Sequence, residues 1–179
     1  MKKGLYLLLA TFLLCSAAFA WMKVQEWSIG DDYAVKFSGK YADGGFKTLK
    51  GTIVFDEHDL AGAKFDVSID VASINTGMGL KNKHARSEKW FDAEKYPVIH
   101  FTANGATKTA SGYETNGTLD LHGVKKPLTI PFTFTRNGAN GVFNGTFKVN
   151  RGEFGIGESK GNDSDFTTLQ VTVPVAPKQ

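Results

Sequence analysis

The chain has 179 residues, of which 41% are hydrophobic, and its 21 basic and 18 acidic residues give a formal net charge of +3. This length suits one domain with a substantial core, and the near balance of charge excludes the concentrated basic surface that nucleic-acid binding requires. The single cysteine, Cys15, lies in a segment that we expect to be removed, so no disulfide is expected in the mature protein.

Residues 1–20 have the pattern of a cleavable signal peptide. Lys2 and Lys3 precede an apolar run over residues 5–14, and Ala18 and Ala20 form a small-x-small cleavage site. A membrane anchor is the alternative, but this run is shorter than the roughly 20 residues that cross a bilayer. We therefore expect cleavage after Ala20, export to the periplasm and one mature domain over residues 21–179.

Eight segments of the remaining chain alternate apolar and polar residues, as β-strands do. They are residues 33–41, 48–55, 64–74, 98–104, 113–121, 126–135, 142–150 and 166–175. Most connections between them are short and rich in Gly, Asn and Asp, which favours antiparallel neighbours. The connection between the third and fourth strands is longer and has room for a short helix. Because closing a long sheet removes its edges, we predict an all-β, eight-stranded antiparallel barrel with that helix.

Pro131 interrupts the sixth predicted strand. Proline has no backbone N–H to donate to a neighbouring strand. We therefore expect Pro131 at a bulge, or where the adjacent strand has separated from this one.

The alternation places one set of apolar side chains on a single face of the sheet, which a water-soluble barrel turns inward. The set comprises Val35, Phe37, Leu49, Ile53, Phe55, Val67, Ile69, Val71, Ile99, Phe101, Leu119, Leu121, Leu128, Ile130, Phe132, Phe143, Phe147, Val149, Leu169, Val171 and Val173. An eight-stranded barrel is just wide enough to be filled by its own side chains or to hold one small ligand. Gly39, Gly51, Gly117 and Gly145 fall on the same face, where they either leave space for a cavity or allow the wall to bend.

The long connection could form the opening of such a barrel. Leu80, Trp90 and Phe91 are apolar residues that could cap or line it. Lys81, Asn82 and His84 could face a polar group from one side of the helix, or could be a solvated face, since residues three apart on a helix are neighbours. Arg151, in the second long loop, could anchor that loop or face the same polar group.

Several segments resemble the YceI-like polyisoprenoid-binding family of bacteria. The similar segments are Ile74-Asn75-Thr76-Gly77, Trp90-Phe91-Asp92, Tyr96-Pro97 with Ile99 and Phe101, Leu121-His122-Gly123-Val124-Lys125-Lys126-Pro127, and Asn150-Arg151-Gly152-Glu153-Phe154-Gly155-Ile156-Gly157. Together with Phe37-Ser38-Gly39 and Gly51-Thr52-Ile53-Val54-Phe55-Asp56, they spread from about residue 25 to the C-terminus. One segment departs from the family pattern, because Lys81-Asn82-Lys83-His84-Ala85 stands where the family often has Arg-Asp-x-His-Leu.

This resemblance implies a lipocalin-like barrel whose apolar tunnel holds an isoprenoid chain, such as a quinone tail or a polyprenyl phosphate, with no cofactor apart from the bound lipid. The implied tunnel lining is Phe37, Gly51, Ile53, Phe55, Val67, Ile69, Val71, Ile99, Phe101, Gly117, Leu119, Ile130, Phe132, Gly145, Phe147 and Val171. The implied mouth or headgroup residues are Leu80, Lys81, Asn82, His84, Trp90, Phe91 and Arg151. His122 and Gly123 are expected to form a hairpin turn.

Catalytic and metal sites leave little trace in this sequence. The four histidines are scattered, without the close spacing of zinc ligands. Residues 162–165 lack the glycine and the terminal glutamate of a calcium loop, which favours a solvated turn. Neither a Gly-x-Ser-x-Gly elbow nor a phosphate-binding glycine loop occurs. We therefore expect no enzymatic activity, no catalytic residue and no metal.

Two other functions remain compatible with the alternating pattern. An outer-membrane barrel of eight strands would point the same apolar residues outward into lipid. An all-β binding module without a ligand would fill its interior with side chains. For the isoprenoid carrier, we expect a long apolar molecule as the partner, transient contact with a membrane, and a monomer or homodimer.

Overall fold

The computed structural model describes residues 25–178, so the predicted signal peptide of residues 1–20 lies outside the described part of the chain. Within that part, the strands are β1 (Glu26–Ile29), β2 (Ala34–Gly39), β3 (Asp43–Phe46), β4 (Lys50–Asp56), β5 (Asp59–Asp70), β6 (Ile74–Asn75), β7 (Val98–Asn104), β8 (Thr107–Thr109), β9 (Gly112–Leu121), β10 (Val124–Asn137), β11 (Asn140–Asn150) and β12 (Phe166–Pro177). The α-helix is α1 (Gly79–Arg86), and 3-10 turns span Val71–Ser73, Arg151–Phe154 and Asp163–Asp165.

Eight of these strands form a closed antiparallel ring in the order β1-β4-β5-β7-β9-β10-β11-β12, and β12 pairs back to β1. Near the other end of β12, β2 pairs with β12 and with β3, and β3 pairs with β6, which extends the wall there. The predicted all-β barrel of eight strands is therefore confirmed. Helix α1 lies in the connection between the third and fourth predicted strands, as expected.

The identity of the first strand in the ring differs from the prediction. The predicted first strand, residues 33–41, corresponds to β2, whereas the strand that closes the ring is β1. β1 has four residues and Trp27 is the one that is fully buried, so its alternation is too short to be recognised as a strand. β12 is long enough to pair with β1 near its C-terminal end and with β2 over residues 167–172.

Large aromatic side chains fill one end of the barrel, which we call the closed end. Phe55 is fully buried, and its ring lies 5.5, 5.2 and 5.4 Å from the rings of Phe132, Phe134 and Phe143, in edge-on geometry. Trp27 donates its indole N–H to the carbonyl oxygen of Phe55 at 2.8 Å. We call these five residues the aromatic plug. Full burial of one such phenyl ring stabilises the fold by about 1.5–3 kcal/mol, so the plug is a main source of core stability.

The outward face of the barrel is polar. On β5, Lys64 and Asp66 are exposed, and they alternate with the inward Phe65 and Val67. The Nε2 atom of His100 on β7 lies 2.8 Å from the Asp66 carboxylate, on the outer surface. His100 therefore lies outside the barrel, as its position in the alternation predicts.

β10 and β11 separate at Pro131, as the sequence predicts. Their ladder runs from the hairpin turn to the pair Phe132 and Gly145 and then stops. Past that point β10 stays paired with β9, where Pro131 stands opposite Glu114. Phe154 and Ile156, from the loop after β11, are buried and pack against apolar side chains of both separated strands. This loop therefore covers the gap that Pro131 leaves in the wall.

Candidate ligand-binding cavity

A cavity of about 470 Å³ occupies the barrel between the aromatic plug and α1. This volume falls within the roughly 300–1,000 Å³ of sites that hold small molecules. On β11 the lining runs from Phe143 at the plug to Val149 near α1, a length of about 20 Å at about 3.4 Å per residue. We call the α1 end of the cavity its mouth. The mouth is formed by α1, residues 40–42 of the β2–β3 turn and the loop after β11.

Twelve of the predicted lining residues do border this cavity. They are Phe37, Ile53, Val67, Ile69, Ile99, Phe101, Leu119, Ile130, Phe132, Gly145, Phe147 and Val171. Several of them, such as Phe37 and Ile69, remain partly accessible although they point inward. These side chains border open space, unlike Trp27 and Phe55, which are fully buried inside the aromatic plug.

Four other predicted lining residues lie outside the lining. Phe55 belongs to the aromatic plug, because position along the barrel axis and not the face of the strand decides whether an inward side chain meets cavity or core. Val71 begins a 3-10 turn, where β5 has ended, and it is buried with its N–H donating to the carbonyl oxygen of Pro97 at 2.8 Å. The alternation of β5 therefore does not extend to Val71.

Gly51 and Gly117 also lie outside the lining, because each allows a close approach of a neighbouring strand. A Cβ atom on Gly117 would lie 2.5 Å from the ring of Phe101, so the ring occupies the space that the glycine leaves. Gly51 has φ of +137°, and a Cβ atom there would lie 2.0 Å from the carbonyl oxygen of Asp66. Gly145 does line the cavity, where a Cβ atom would be 3.1 Å from the nearest atom, the carbonyl oxygen of Pro131.

Helix α1 lies over the mouth and presents one side to the cavity. Lys81, His84 and Ala85 line the cavity, as the spacing of three and four residues predicts for one helical face. The His84 ring stands edge-on to Trp90 at a centroid distance of 6.0 Å, and Trp90 and Phe91 complete this side of the mouth. The polar groups closest to the cavity on the helix are therefore the Lys81 ammonium and the His84 imidazole.

Two predicted mouth residues lie elsewhere. Leu80 is 80% exposed to solvent and does not border the cavity. Asn82 holds the helix in place instead, because its side-chain oxygen accepts hydrogen bonds from the N–H and the hydroxyl of Thr76 at 2.7 and 2.8 Å. Neighbouring positions on a short helix thus point away from the cavity or back toward β6.

Arg151 both anchors the loop after β11 and borders the mouth. Its guanidinium donates hydrogen bonds to the carbonyl oxygens of Ile156 and Glu158 at 2.6 and 2.9 Å and to Asp165 at 3.0 Å. The guanidinium also lies 4.6 Å from the centre of the Tyr41 ring, a distance at which cation–π attraction operates. Arg151 is therefore fixed by its neighbours before any ligand enters.

Asp165 is buried, although residues 162–165 were expected to form a solvated turn. It is 1% exposed and accepts hydrogen bonds from the Ser159 hydroxyl and from the N–H groups of Lys160 and Gly161, besides the bond from Arg151. The Ser159 hydrogen bond, together with the two backbone N–H groups and the Arg151 charge, holds the pKa of this carboxyl below its ordinary value. Local sequence gives no signal for this role, because the partner Arg151 is distant in the chain.

The sequence analysis also missed cavity residues in the β2–β3 region. Tyr41 and Phe46 border the cavity, but β3 lies in the connection between the predicted strands of residues 33–41 and 48–55 and is not predicted as a strand. The two glycines allow β3 to pass close to β2, since a Cβ atom on Gly44 would lie 2.8 Å from the Phe37 ring. The one local signal for β3 is Phe46, the aromatic residue that directly follows these glycines.

His122 and Gly123 form the tight turn between β9 and β10, as predicted. Both residues have positive φ, of 55° and 74°, which is the geometry of a two-residue hairpin turn. The centroids of the His122 and Tyr96 rings lie 4.5 Å apart, and the Nδ1 atom of His122 lies 2.9 Å from the carbonyl oxygen of Phe154. His122 thus connects this turn to the loop that covers the gap beside Pro131.

Across residues 25–178, no three His, Cys, Asp or Glu side chains gather into a group that could hold a metal ion. In the same part of the chain, no helix has the length and apolar character needed to span a membrane. The arrangement that remains is an apolar cavity with a polar mouth that contains Lys81, His84 and Arg151. Chemically, such a site can bury a hydrocarbon chain and present hydrogen-bond donors to a polar head.

Comparison with known proteins gives one family. A family model for the YceI-like domain matches residues 24–176. A UPF0312 protein of Yersinia enterocolitica is 31% identical over 140 residues, which cover 76% of this chain and 70% of that protein. The match therefore spans nearly all of the barrel.

Two solved structures are similar to this barrel. BcnA of Burkholderia cenocepacia superposes with a TM-score of 0.75 at 26% identity, over 82% of this chain and 99% of that one. A polyisoprenoid binding domain from Saccharophagus degradans, implicated in plant cell wall breakdown, superposes with a TM-score of 0.63 at 15% identity, over 87% of this chain and 100% of that one. At 15% identity the second likeness concerns the fold alone.

Proposed function

The chain belongs to the YceI-like family, and we propose that it is an exported, non-enzymatic lipid-binding protein that holds a long isoprenoid chain in its barrel for transport or storage. We place it in the periplasm, on the pattern of residues 1–20. The fold that this chain shares with a polyisoprenoid binding domain is compatible with such a ligand.

The observation that carries the proposal is the apolar cavity of about 470 Å³. Burying one methylene-sized group is worth about 0.8 kcal/mol, so each five-carbon isoprene unit offers about 4 kcal/mol before the cost of ordering the chain. The lining consists mainly of aliphatic and phenyl side chains, which have no hydrogen bonds to lose when a hydrocarbon replaces water. A purely apolar tail therefore suits this cavity better than a sugar or a peptide.

The polar head of the ligand would remain at the mouth. The aromatic plug closes the far end, so a chain would enter at α1 and its tail would stop at Phe132 and Phe143. Lys81 suits a phosphate through its charge, whereas His84 suits a quinone carbonyl through a hydrogen bond. We propose that these two residues, together with Arg151, meet the head.

The two alternative functions fit the barrel less well. An outer-membrane barrel needs apolar side chains on its outer surface, whereas here Phe37 and Ile69 face the interior and Asp66 with His100 lies outside. A binding module without a ligand would pack its interior at the usual density of protein cores, and the plug does so over one part of the barrel alone. We therefore favour the carrier.

Binding of quinones with one headgroup and tails of increasing length tests the proposal. We expect each added isoprene unit to raise affinity at least about tenfold until the tail reaches the plug, because about 4 kcal/mol of gross burial exceeds the ordering cost. Further units should then add little, since they stay outside. Quenching of Trp90 fluorescence at the mouth gives the titration signal.

A headgroup analogue without a tail is the matched control, and we expect it to bind too weakly to saturate. Equal affinity for short and long tails would contradict the proposal, because the cavity would then play no part in binding. A saturated straight-chain alcohol of equal carbon number distinguishes an isoprenoid carrier from a general lipid carrier.

A further inference from the structure

We propose that the rim of the mouth docks on the surface of an anionic lipid bilayer, with α1 as the contacting element. The inference extends the proposed function, because a cavity that loads an isoprenoid from a membrane must face that membrane. It rests on different observations, namely the distribution of exposed apolar and basic side chains.

All large apolar side chains that are exposed within residues 25–178 lie at the mouth end of the barrel. They are Tyr41, Met78, Leu80, Val98 and Phe166. Tyr41 is in the β2–β3 turn, Met78 directly precedes α1 and Leu80 lies in its first turn. Val98 and Phe166 start β7 and β12, next to residues Ile99 and Thr167 that border the cavity.

Such clustering indicates an interaction surface, because exposed apolar residues are normally scattered singly over a protein. Leu80 and Met78 are the most exposed of the five, at 80% and 55%, and they flank the start of α1. They project beside the opening of the cavity without lining it. Core packing therefore does not account for either side chain.

Basic residues of α1 lie beside this apolar tip, whereas the loop after β11, another part of the rim, carries both acidic and basic residues. α1 carries Lys81, Lys83 and Arg86 and has no acidic residue. Lys83 is exposed, on the part of the helix that does not border the cavity. The following loop mixes both signs, so the positive excess belongs to α1 itself.

An apolar tip among lysines fits the interface of an anionic membrane. Apolar side chains enter the boundary between headgroups and acyl chains, while lysines and arginines contact lipid phosphates. A lipid tail that passes directly from the bilayer into the cavity is never exposed to water. Exposure would cost about 0.8 kcal/mol for each methylene.

A second copy of the chain fits this surface less well. A twofold contact through the rim would place the same patch of both copies together. Where the two α1 helices meet in that contact, their basic residues face one another, because α1 itself carries no acidic residue. Charge complementarity therefore favours anionic lipid over self-association.

Flotation with vesicles that contain no isoprenoid tests the docking directly. The protein, expressed from its full gene and purified from the soluble fraction, is mixed with phosphatidylcholine vesicles with or without phosphatidylglycerol. We expect binding to the anionic vesicles that weakens as salt increases, because salt screens the attraction between the lysines and the lipid phosphates. Equal binding to both kinds of vesicle, or none to the anionic ones, would overturn the proposal.

Two variants assign the contact to α1. Leu80→Ser should weaken vesicle binding about tenfold through lost apolar burial, and Lys83→Gln about fivefold through one lost basic contact. Both side chains are exposed, so the fold should be unchanged. Lys108→Gln removes the same charge from β8 near the closed end and should bind vesicles as the wild type does.

The quinone titration of the same variants separates this inference from the proposed function. We expect Leu80→Ser and Lys83→Gln to bind quinones as the wild type does while losing vesicle affinity. Vesicle binding that is identical in wild type and both variants would refute docking through α1 and leave the carrier function untouched. A dimer in sedimentation that Leu80→Ser dissociates would assign the rim to a second copy instead.

Discussion

Single residues divide the interior of this barrel into core and cavity. Phe55 and Val171 both lie on the inward face of a strand, yet Phe55 is fully buried in the aromatic plug and Val171 borders the cavity. The two-residue period of a strand predicts the face and so could be derived from sequence. Position along the barrel axis depends on how distant strands pair, which alternation does not encode.

Glycines illustrate the same difference. The sequence pattern places Gly117 and Gly145 on the same, inward face of the sheet. The Phe101 ring covers Gly117, whereas Gly145 stays open to the cavity. The sequence shows that a side chain is missing and does not show which neighbour uses the space. A bulky substitution at Gly117 would therefore displace Phe101 and would not report on ligand binding alone.

Val171 offers a sharper test of the cavity at the residue scale. Val171→Trp places an indole in the space beside Gly145, its partner in the β11–β12 ladder. We expect isoprenoid binding to fall at least a hundredfold, with the free energy of unfolding changed by no more than about 1–3 kcal/mol, since the added bulk enters existing space. Equilibrium titration and chemical denaturation measure the two effects.

Gln170→Trp is the matched control, because it adds the same bulk to the outer face of the same strand. We expect this control to bind isoprenoids as the wild type does. Undiminished binding by Val171→Trp would place the ligand outside the cavity.

At the scale of elements, the separation of β10 and β11 makes the loop after β11 part of the barrel wall. Pro131 ends the ladder, a consequence that the sequence predicts because proline lacks an N–H. The sequence does not predict what covers the gap. The loop is held by the buried pair of Arg151 and Asp165, residues 14 positions apart in the chain, which no local pattern connects.

Low pH should weaken the contribution of Asp165 to the stability of the loop after β11. The pKa of Asp165 is lowered in the folded protein, so its ionised form stabilises the fold at a pH above its unfolded pKa, near 3.8. That stabilisation is lost as the pH falls through the lower, folded value. We expect the difference in unfolding free energy between wild type and Asp165→Asn to be largest near neutral pH and to shrink below about pH 4.

Chemical denaturation at a series of pH values measures this difference. Asp163→Asn, an exposed neighbour in the same 3-10 turn, is the control and should follow the wild type throughout. A gap between wild type and Asp165→Asn that stays constant down to the lowest pH would show that Asp165 does not act through its charge.

The whole molecule combines a tightly packed end with a hollow one. A cavity of about 470 Å³ forgoes the packing that a filled core of the same volume would supply. The aromatic plug supplies compensating burial at the closed end. A bound chain would recover part of the forgone packing, so the hollow fold and an apolar ligand suit one another.

The central claim is that the cavity holds an isoprenoid chain, and the lipid retained by the protein tests it most directly. Gently purified protein is extracted with organic solvent, and the extract is analysed by mass spectrometry. We predict an isoprenoid lipid at about one molecule per chain, and its loss from Val171→Trp purified in the same way. Protein that carries no lipid and takes up no added isoprenoid, or an isoprenoid retained equally by Val171→Trp, would contradict the account.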